Sequence, residues 1–507
     1  MSSNKRIAKN TAFLYIRMFL IMGVTLYTSR IVLQVLGEDD FGLYNVVGGI
    51  VTMFTFLNGA LAGATSRFIT YEIGRKDSIQ LHKVFNVSLV THVIIAFVIV
   101  LLAETVGLWF LYNKMIIPTE RFNAAFWVYQ ISIVSCVLSI IQVPYNATII
   151  AHERMKIYAY VGVVEVVLKL VIAYLIKISA YDKLVSYAFL LFLVHALILL
   201  YYRIYCKKHF FECEYLFVKE PKMYKEMFVF ASSDMIGGLS VLAQGQGLNI
   251  LLNVFFGPAV NAARGIAYQV QGAVTQFSGN FMTAVKPQII KQYAVGKIDE
   301  MMQLVIHSSC FSFYLMLLIV VPLCFEAEYI LTLWLGEYPD YTVSFLRLVL
   351  VLCMIQTLKT PRTTVYHATG KILIPNIVVG TILCLAFPAA YFVLKMGGNP
   401  ESVFWTAIIC MILSEIASII ILHYMVACSV KEYILKVHIR CLFVTGVSLV
   451  IPLSICDRIE LYGLSKLLIT CLVTTISILV TSYTLGVDKN LRHKIKGIIQ
   501  QKIIKNA

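Results

Sequence analysis

Long apolar runs separated by short polar loops follow one another along almost the whole chain. Most runs hold roughly 20–28 residues, enough to cross about 30 Å of hydrocarbon as an α-helix rising 1.5 Å per residue. The pattern therefore predicts an all-α polytopic membrane protein with about 14 transmembrane helices. We place these helices at approximately 10–36, 42–66, 84–112, 122–150, 157–177, 184–205, 225–256, 259–285, 304–333, 341–363, 372–395, 402–427, 434–455 and 461–486.

Several short segments of the chain occur twice, which indicates an internal repeat. Each repeat holds six helices, an even number, so the two halves face the same way. We therefore expect two six-helix lobes related by a pseudo-two-fold axis along the membrane normal, with two more helices at the C-terminal end. The matched pairs are 35–38 with 255–258, 58–64 with 278–284, 74–77 with 296–299, and 144–154 with 361–371.

The repeat and the longest basic loop set the predicted domain boundaries. We expect an N-lobe at 1–207, a cytoplasmic linker at 208–224 and a C-lobe at 225–430. Two helices at 431–486 and a basic cytoplasmic tail at 487–507 follow.

Lysine and arginine alternate sharply between the two sets of loops. Of the 42 basic residues, 30 lie in loops on one side of the predicted membrane, among them Lys286 and Arg362, and 7 lie on the other. Because basic loops stay in the cytoplasm, both termini are predicted to be cytoplasmic. We expect a multi-pass protein of a bacterial inner membrane.

Composition supports the membrane assignment and indicates which binding partners to expect. Hydrophobic residues make up 59% of the chain and charged residues 14%, with a mean hydropathy of +0.82. A soluble domain is nearer 45–50% apolar. The net charge of +15 lies on membrane-flanking loops, so membrane lipids rather than nucleic acid are the expected partners.

No pattern typical of an enzyme or a cofactor site is present in the sequence. The twelve cysteines are scattered singly without metal-ligand spacing, which is typical of small buried hydrophobic residues. The sequence has neither a P-loop nor a hydrolase or metalloprotease motif. We expect no catalytic residues, no metal and no cofactor.

Five basic residues fall inside predicted spans, where a charge costs about 2.5–3.5 kcal/mol on insertion scales. Each could line a cavity that binds an anion, although the arginines near span ends could instead extend to the interface. For Lys169 the alternative is an ion pair with Glu165, four residues earlier on one helix face. The candidate cationic residues are Arg17, Arg30, Lys169, Arg264 and Arg347.

The seventh and eighth spans are unusually rich in amides and glycine. These residues could form a wet cavity wall that hydrogen-bonds sugars, or they could serve helix packing. The candidate wall residues are Gln244, Gln246, Asn249, Gln271 and Gln276. Three acids within spans, Asp234, Glu165 and Glu415, could couple transport to an ion or could pair with a nearby arginine.

The sequence resembles the multidrug/oligosaccharidyl-lipid/polysaccharide exporter (MOP) superfamily, in particular its polysaccharide-transporter branch of Wzx-type flippases, with MurJ-like proteins as relatives. Spans one to twelve are covered by the resemblance. The segments that carry it are 9–11, 29–33, 36–37, 41–44, 74–77 and 144–156.

This resemblance implies a flippase that moves a polyprenyl-pyrophosphate-linked oligosaccharide across the inner membrane by alternating access. It places cavity arginines on the first and eighth spans, where Arg17, Arg30 and Arg264 lie. The implied partners are the lipid-linked glycan and the polymerase or glycosyltransferase machinery that handles it. The alternatives are a MATE-like multidrug antiporter, a membrane assembly subunit that transports nothing, and a glycan polymerase.

Overall fold

The computed structural model describes residues 3–54, 56–113, 117–456, 463–488 and 492. Within these ranges, the side chains of 3–9, 26, 29, 30, 33, 38, 39, 41, 42, 45–60, 258 and 259 lie outside the description.

Helices account for nearly all of the described chain. Their bounds are α1 Ser3–Phe54, α2 Phe56–Arg75, α3 Ser78–Leu102, α4 Leu108–Asn113, α5 Phe122–Ala151, α6 Met155–Leu175, α7 Lys183–His209, α8 Pro221–Phe256, α9 Pro258–Ala294, α10 Ile298–Phe325, α11 Ala327–Leu335, α12 Thr342–Thr369, α13 Leu373–Cys384, α14 Ala386–Lys395, α15 Ser402–Val426, α16 Val430–Tyr433, α17 Arg440–Cys456 and α18 Leu464–Thr481. Short 3₁₀ segments lie at Thr119–Arg121 and Phe211–Cys213, and π-helical segments at Ala103–Gly107, Ile434–Ile439 and Ser482–Gly486.

Eleven helical segments within the described residues are long and apolar enough to cross a membrane. The protein is therefore a multi-pass membrane protein, and the predicted fold class is confirmed. The apolar part of α1 is shorter, at Asn10–Thr25, and α9 is too polar to count among the eleven. The total of 14 helices stays a prediction.

The backbone repeats itself at the turns that the sequence repeat had identified. Gly37 interrupts α1 with φ 80°, and Gly257 separates α8 from α9 with φ 83°. Glu153, after α5, and Gly370, after α12, have φ 58° and 77°. These pairs lie 220 and 217 residues apart, as the sequence match predicted.

One predicted register is wrong by two residues. The sequence match paired 74–77 with 296–299, but the left-handed residues are Lys76 and Gly296, which lie 220 apart. The Lys76 amide donates to the Ile73 carbonyl at 3.2 Å, and the Gly296 amide donates to the Tyr293 carbonyl at 3.0 Å. The hydrogen-bonded ends of the two helices therefore show that Lys76 is equivalent to Gly296, whereas the shared residue types suggested a different alignment.

The chain forms two compact units. Unit 1 comprises Met1–Met235 and Thr283–Lys297, and unit 2 comprises Ile236–Met282 and Ile298–Ala507. Helices α8 and α9 are thus each divided between the units. The predicted lobe boundaries at 207 and 225 stay a prediction.

Unit 1 is organised around the packing of α5 on α7 and of α1 on α6. Phe85 of α3 is fully buried and meets the ring of Tyr145 edge-on, with 5.5 Å between ring centroids. The α9 segment of unit 1 contributes to a separate small cluster through Ala284, which packs with Leu14 and Met155. In hydrocarbon such contacts stabilise through close packing rather than through release of water.

The predicted linker at 208–224 is fixed to α3 by polar contacts. The buried Asn86 side chain donates to the Glu214 carbonyl and accepts from the Leu216 amide, both at 2.9 Å. Lys83 adds an ion pair with Glu220 at 2.5 Å. One asparagine thus satisfies two backbone groups of residues 214–216, which have no regular secondary structure.

A basic residue joins two acidic residues outside the spans of unit 1. Arg121 donates from Nε to Asp40 Oδ1 at 2.8 Å and from Nη1 to Asp182 Oδ2 at 2.6 Å. Asp182 also caps α7 by accepting from the Val185 amide at 3.0 Å. Burial raises the pKa of Asp182, but the Val185 amide and the Arg121 guanidinium outweigh it and lower that pKa below its usual value.

Unit 2 contains a fully buried ion pair. The prediction that Arg362 lies in a loop is wrong, because Arg362 lies within α12, is 0% exposed and pairs with Glu415 of α15. His438 approaches the same carboxylate at 3.4 Å, and the guanidinium lies 5.6 Å from the centre of the Tyr433 ring. Neutralisation by Glu415 makes it possible to bury this arginine.

Candidate functional site

Helix α9 exposes a face that differs from the lipid-facing surface of the other helices. The exposed residues there recur at spacings of three and four and have small or amide side chains. On the other helices many exposed positions carry large apolar side chains, such as Phe97, Ile416 and Leu472. Because amides are costly to place against hydrocarbon, we interpret this face as bordering water. Its exposed members in unit 2 are Ala262, Gly265, Gln269, Gly272, Ala273, Gln276 and Gly279.

The glycines of this face adjoin open space. A Cβ placed on Gly265, Gly272 or Gly279 would meet no atom within 4 Å outside the local helix backbone. By contrast, a Cβ on Gly247 of α8 would lie 2.7 Å from the Phe387 ring, and one on Gly237 would lie 2.9 Å from Asn376. Glycine therefore permits close helix packing at positions 237 and 247 of α8, whereas at these three positions of α9 it leaves room.

The structure separates the predicted amide wall into buried and exposed members. Gln244 is buried, Asn249 and Gln271 are half-buried, and Gln246 and Gln276 are exposed. Gln276 belongs to the open face of α9. Gln269, on the same face, was not among the predicted wall residues, although its spacing of seven from Gln276 is visible in the sequence.

Arg264 is held by the α8–α9 hairpin. Its Nη1 donates to Asn249 Oδ1 at 3.0 Å, its Nη2 donates to the Gly245 carbonyl at 2.8 Å, and its Cζ lies 4.1 Å from the Tyr268 ring centre. Only 9% of the residue is exposed. This geometry joins two predicted site residues, Arg264 and Asn249, and uses several of the arginine's donors within the protein.

Arg17 is half-buried against α6. Its Cζ lies 4.4 Å from the Tyr158 ring centre, and its Nε has no hydrogen-bond partner among the described residues. Gly162 is needed beside it, because a Cβ there would collide with the guanidinium. The Tyr158 ring and the absence of a side chain at Gly162 therefore set the position of the Arg17 guanidinium. Among the described residues, no acidic side chain pairs with it.

The other predicted cations have different surroundings. Lys169 forms an ion pair with Glu165 at 2.7 Å, which was the alternative given for this pair. Arg347 lies 3.8 Å from Glu328 and donates to the Cys324 carbonyl at 3.1 Å. The Arg30 side chain lies outside the described residues.

A cavity of about 390 Å³ adjoins Arg347 in unit 2. The lining includes three carboxylates and two tyrosines in addition to that arginine. They are Glu328, Asp340, Glu401, Tyr338 and Tyr341.

The three acids proposed for ion coupling all have basic neighbours. Glu165 pairs with Lys169, and Glu415 pairs with Arg362. Asp234 interacts electrostatically with Lys286, which the sequence had placed in a loop but which lies within α9. Coupling through any of these acids stays a prediction.

Comparison with known proteins gives one family match and several structural matches. Residues 7–292 match the family described as polysaccharide biosynthesis protein. No curated protein matches the chain in sequence at a significant level.

Several solved structures are similar to this chain, and membrane transporters are among them. A MATE protein in the bent conformation is 15% identical, with a TM-score of 0.73, and the match covers 85% of this chain and 97% of that one. A multidrug resistance MATE family transporter of the MOP superfamily, in the outward-facing conformation, is 14% identical, with a TM-score of 0.72 and coverage of 84% and 98%.

A third similar structure is a MOP superfamily transporter from Pyrococcus furiosus. It is 16% identical, with a TM-score of 0.70, and the match covers 85% of this chain and 99% of that one. The binding pocket of that protein is described as having reverse polarity, which suggests a different function for it. At these identities the structural matches establish a shared fold.

Proposed function

The chain belongs to the polysaccharide biosynthesis protein family within the MOP superfamily, and from this premise we propose that it flips a polyprenyl-pyrophosphate-linked oligosaccharide across a bacterial inner membrane. The cargo would be the repeat unit of a surface polysaccharide, such as an O-antigen. Fold and family are those of membrane transporters.

The open face of α9 is the observation that carries this proposal. Sugar hydroxyls both donate and accept hydrogen bonds, and so do the amides of Gln269 and Gln276. The intervening glycines leave space beside those amides. A face with room and neutral hydrogen-bonding groups suits a bulky, uncharged glycan better than it suits a compact cation.

The pyrophosphate requires positive charge. Arginine engages phosphate with paired donors, and Arg17 retains donors that no described acid occupies. Arg30 and Arg264 remain candidates for the same role. The polyprenyl chain can stay in lipid while the headgroup crosses, which suits alternating access between two helical units.

The proposed orientation follows from the basic loops, which assign both termini to the cytoplasm. The lipid-linked glycan would then enter from the inner leaflet, after glycosyltransferases have built it. A polymerase on the opposite side of the membrane would consume the product.

Reconstitution tests the proposal directly. Purified protein in proteoliposomes should move a fluorescent polyprenyl-pyrophosphate-linked oligosaccharide between leaflets, measured by quenching with a membrane-impermeant reductant. Polyprenol lacking the pyrophosphate should not move, and Arg17→Ala should slow transfer of the charged lipid. Equal rates for protein-containing and protein-free vesicles would contradict the proposal.

The shared MATE fold favours a second candidate, a multidrug antiporter. This candidate predicts that the protein lowers the susceptibility of a pump-deficient host to cationic drugs, whereas the flippase proposal predicts unchanged susceptibility. The acids would then be the critical residues, and Asp234→Asn would abolish resistance.

A further inference from the structure

The connection between α7 and α8, residues 210–220, exposes aromatic rings. Both helices that it joins are long and apolar enough to cross a membrane. Three of its aromatic residues are more than half exposed within the described chain, Phe211 at 53%, Tyr215 at 70% and Phe217 at 65%. Leu216, between the last two, is 41% exposed. Contiguous exposed apolar residues of this kind mark a surface that contacts a partner or a membrane.

The backbone of this connection is held in place, so the exposed rings project from a defined position. The Asn86 side chain bonds the backbone at residues 214 and 216, as described above. His82 Nε2 lies 2.8 Å from the Glu214 carbonyl oxygen and adds a second contact with α3. Other side chains of the connection are buried in the core of unit 1, namely Phe210, Cys213 and Val218.

Exposed positive charge flanks the rings on both sides. Between residues 203 and 226, six basic side chains are exposed, whereas the exposed acids are Glu214 and Glu226. The other two acids of this stretch are accounted for, because Glu212 is buried and Glu220 pairs with Lys83. The surplus of positive charge favours a partner with negative charge. The exposed basic residues are Arg203, Lys207, Lys208, Lys219, Lys222 and Lys225.

The distance from the lipid-facing part of α7 places this surface at the membrane boundary. Ile204 is 58% exposed on that helix, and α7 ends five residues later at His209, about 7.5 Å further along the helix axis. The headgroup region on each side of the hydrocarbon is about 5–8 Å thick. Tyrosine is enriched at this depth, and lysine side chains extend to it. The connection therefore begins at the depth of the headgroups.

We propose that the α7–α8 connection binds anionic phospholipid of the adjoining leaflet, with its aromatic rings inserted between headgroups and the flanking lysines on the lipid phosphates. A lipid leaflet offers both the negative charge and the apolar depth that this surface matches. The basic loops assign this leaflet to the cytoplasm. The contact is with resident lipid rather than cargo, so the inference goes beyond the proposed function and does not depend on it.

Tryptophan fluorescence of the full-length protein in nanodiscs tests whether the rings are inserted. Phe217→Trp adds a reporter, and the wild type with its four native tryptophans supplies the baseline. The added emission should be quenched by phospholipid that carries a nitroxide near the headgroup, and it should be protected from acrylamide dissolved in water. Asp299→Trp is the matched control, because it adds a tryptophan to an exposed position in the acidic first turn of α10, where we expect the opposite pattern.

Lipid selectivity tests the role of the charges with the same reporter. Nitroxide-labelled phosphatidylglycerol should quench Phe217→Trp more strongly than nitroxide-labelled phosphatidylcholine does at the same mole fraction. One lysine near an anionic surface corresponds to roughly a fivefold preference, so we expect the anionic lipid to be favoured at least about fivefold over the zwitterionic one.

Two variants with the same change in net charge show which lysines produce this preference. Glutamine at four lysines that flank the rings should abolish most of it, whereas glutamine at four lysines of the basic tail should leave it unchanged. The flanking variant changes Lys207, Lys208, Lys219 and Lys222, and the tail control changes Lys494, Lys496, Lys502 and Lys505.

The possible results separate this inference from its alternatives. If acrylamide quenches Phe217→Trp as it quenches Asp299→Trp and the labelled lipid does not, insertion is refuted and the rings form a docking surface for a soluble protein. Equal quenching by the two labelled lipids, or an equal loss of preference in the two glutamine variants, would refute recognition of the charged headgroup at this connection. Absence of flipping by a wild type that keeps its lipid preference would contradict the proposed function alone.

Discussion

Substitution of the two classes of glycine should have opposite effects, and this is the sharpest test of the open face. Gly272 of α9 adjoins open space, whereas a Cβ on Gly247 of α8 would lie 2.7 Å from the Phe387 ring. Gly272→Ala should therefore leave stability unchanged or raise it by about 0.5–1 kcal/mol, the helix-propensity difference. Gly247→Ala should lower it by about 1–3 kcal/mol, because the ring must move.

Transport should respond in the reverse order. Gly272→Trp places a large ring where the glycan is proposed to pass, so flipping in proteoliposomes should fall strongly while the thermal unfolding temperature changes little. Gly272→Ala should transport almost normally. The residual folded fraction of Gly247→Ala should flip lipid at the wild-type rate per folded molecule.

Two results would refute this reasoning. Wild-type flipping by Gly272→Trp would mean that the substrate does not pass along this face. A destabilisation of Gly272→Ala equal to that of Gly247→Ala would mean that the α9 glycines serve packing after all. Labelling of Gly272→Cys by a water-soluble maleimide, in a background without the native cysteines, gives an independent check that the face is wet.

Three further predictions concern charged groups. Arg17→Ala should reduce flipping while the amount of folded protein stays the same. Gly162→Ala should reduce flipping in the same way although the charge is retained, because the new methyl group displaces the guanidinium. Normal flipping by both variants would exclude Arg17 from the path. Glu415→Ala should destabilise the protein by about 3–5 kcal/mol by leaving Arg362 buried without its counter-ion, whereas the paired change of Arg362 and Glu415 to methionine should recover most of the folded protein in a detergent unfolding assay. The folded-state pKa of Asp182 lies below its unfolded value of about 3.9, so its stabilising contribution is present above about pH 4 and is lost as the pH falls through the folded value. Asp182→Asn should therefore reduce the dependence of the free energy of unfolding on pH across that range. An unchanged loss of stability at acid pH would contradict the assignment.

Local features of the chain could be predicted from the sequence because their causes are local. Apolar run length identified the helices, and the recurring glycines identified the breaks at Gly37 and Gly257. The pairing of Lys169 with Glu165 depends only on a spacing of four within one helix. The open face of α9 was partly predictable, since the seven-residue spacing of Gln269 and Gln276 is visible in the sequence.

Features that depend on distant contacts could not be predicted in the same way. Arg362 looks like a loop cation until Glu415, 53 positions later, is known to face it. Asn86 lies in a hydrophobic helix, and nothing near it in sequence indicates that it holds residues 214–216. The exposure of Lys286 likewise has no local signal, because it depends on the burial of residues 284, 285 and 287–290 around it.

The division of α8 and α9 between the two units has a consequence for biosynthesis. The chain passes from one unit to the other after residues 235, 282 and 297, and chains enter the membrane from the N-terminus onward. The first unit therefore cannot be completed by the translocation machinery until 297 of the 507 residues have been made. A nascent chain stopped after six spans would present an unfinished surface to membrane proteases. The family match ends at residue 292, close to residue 297, where the last segment of the first unit ends.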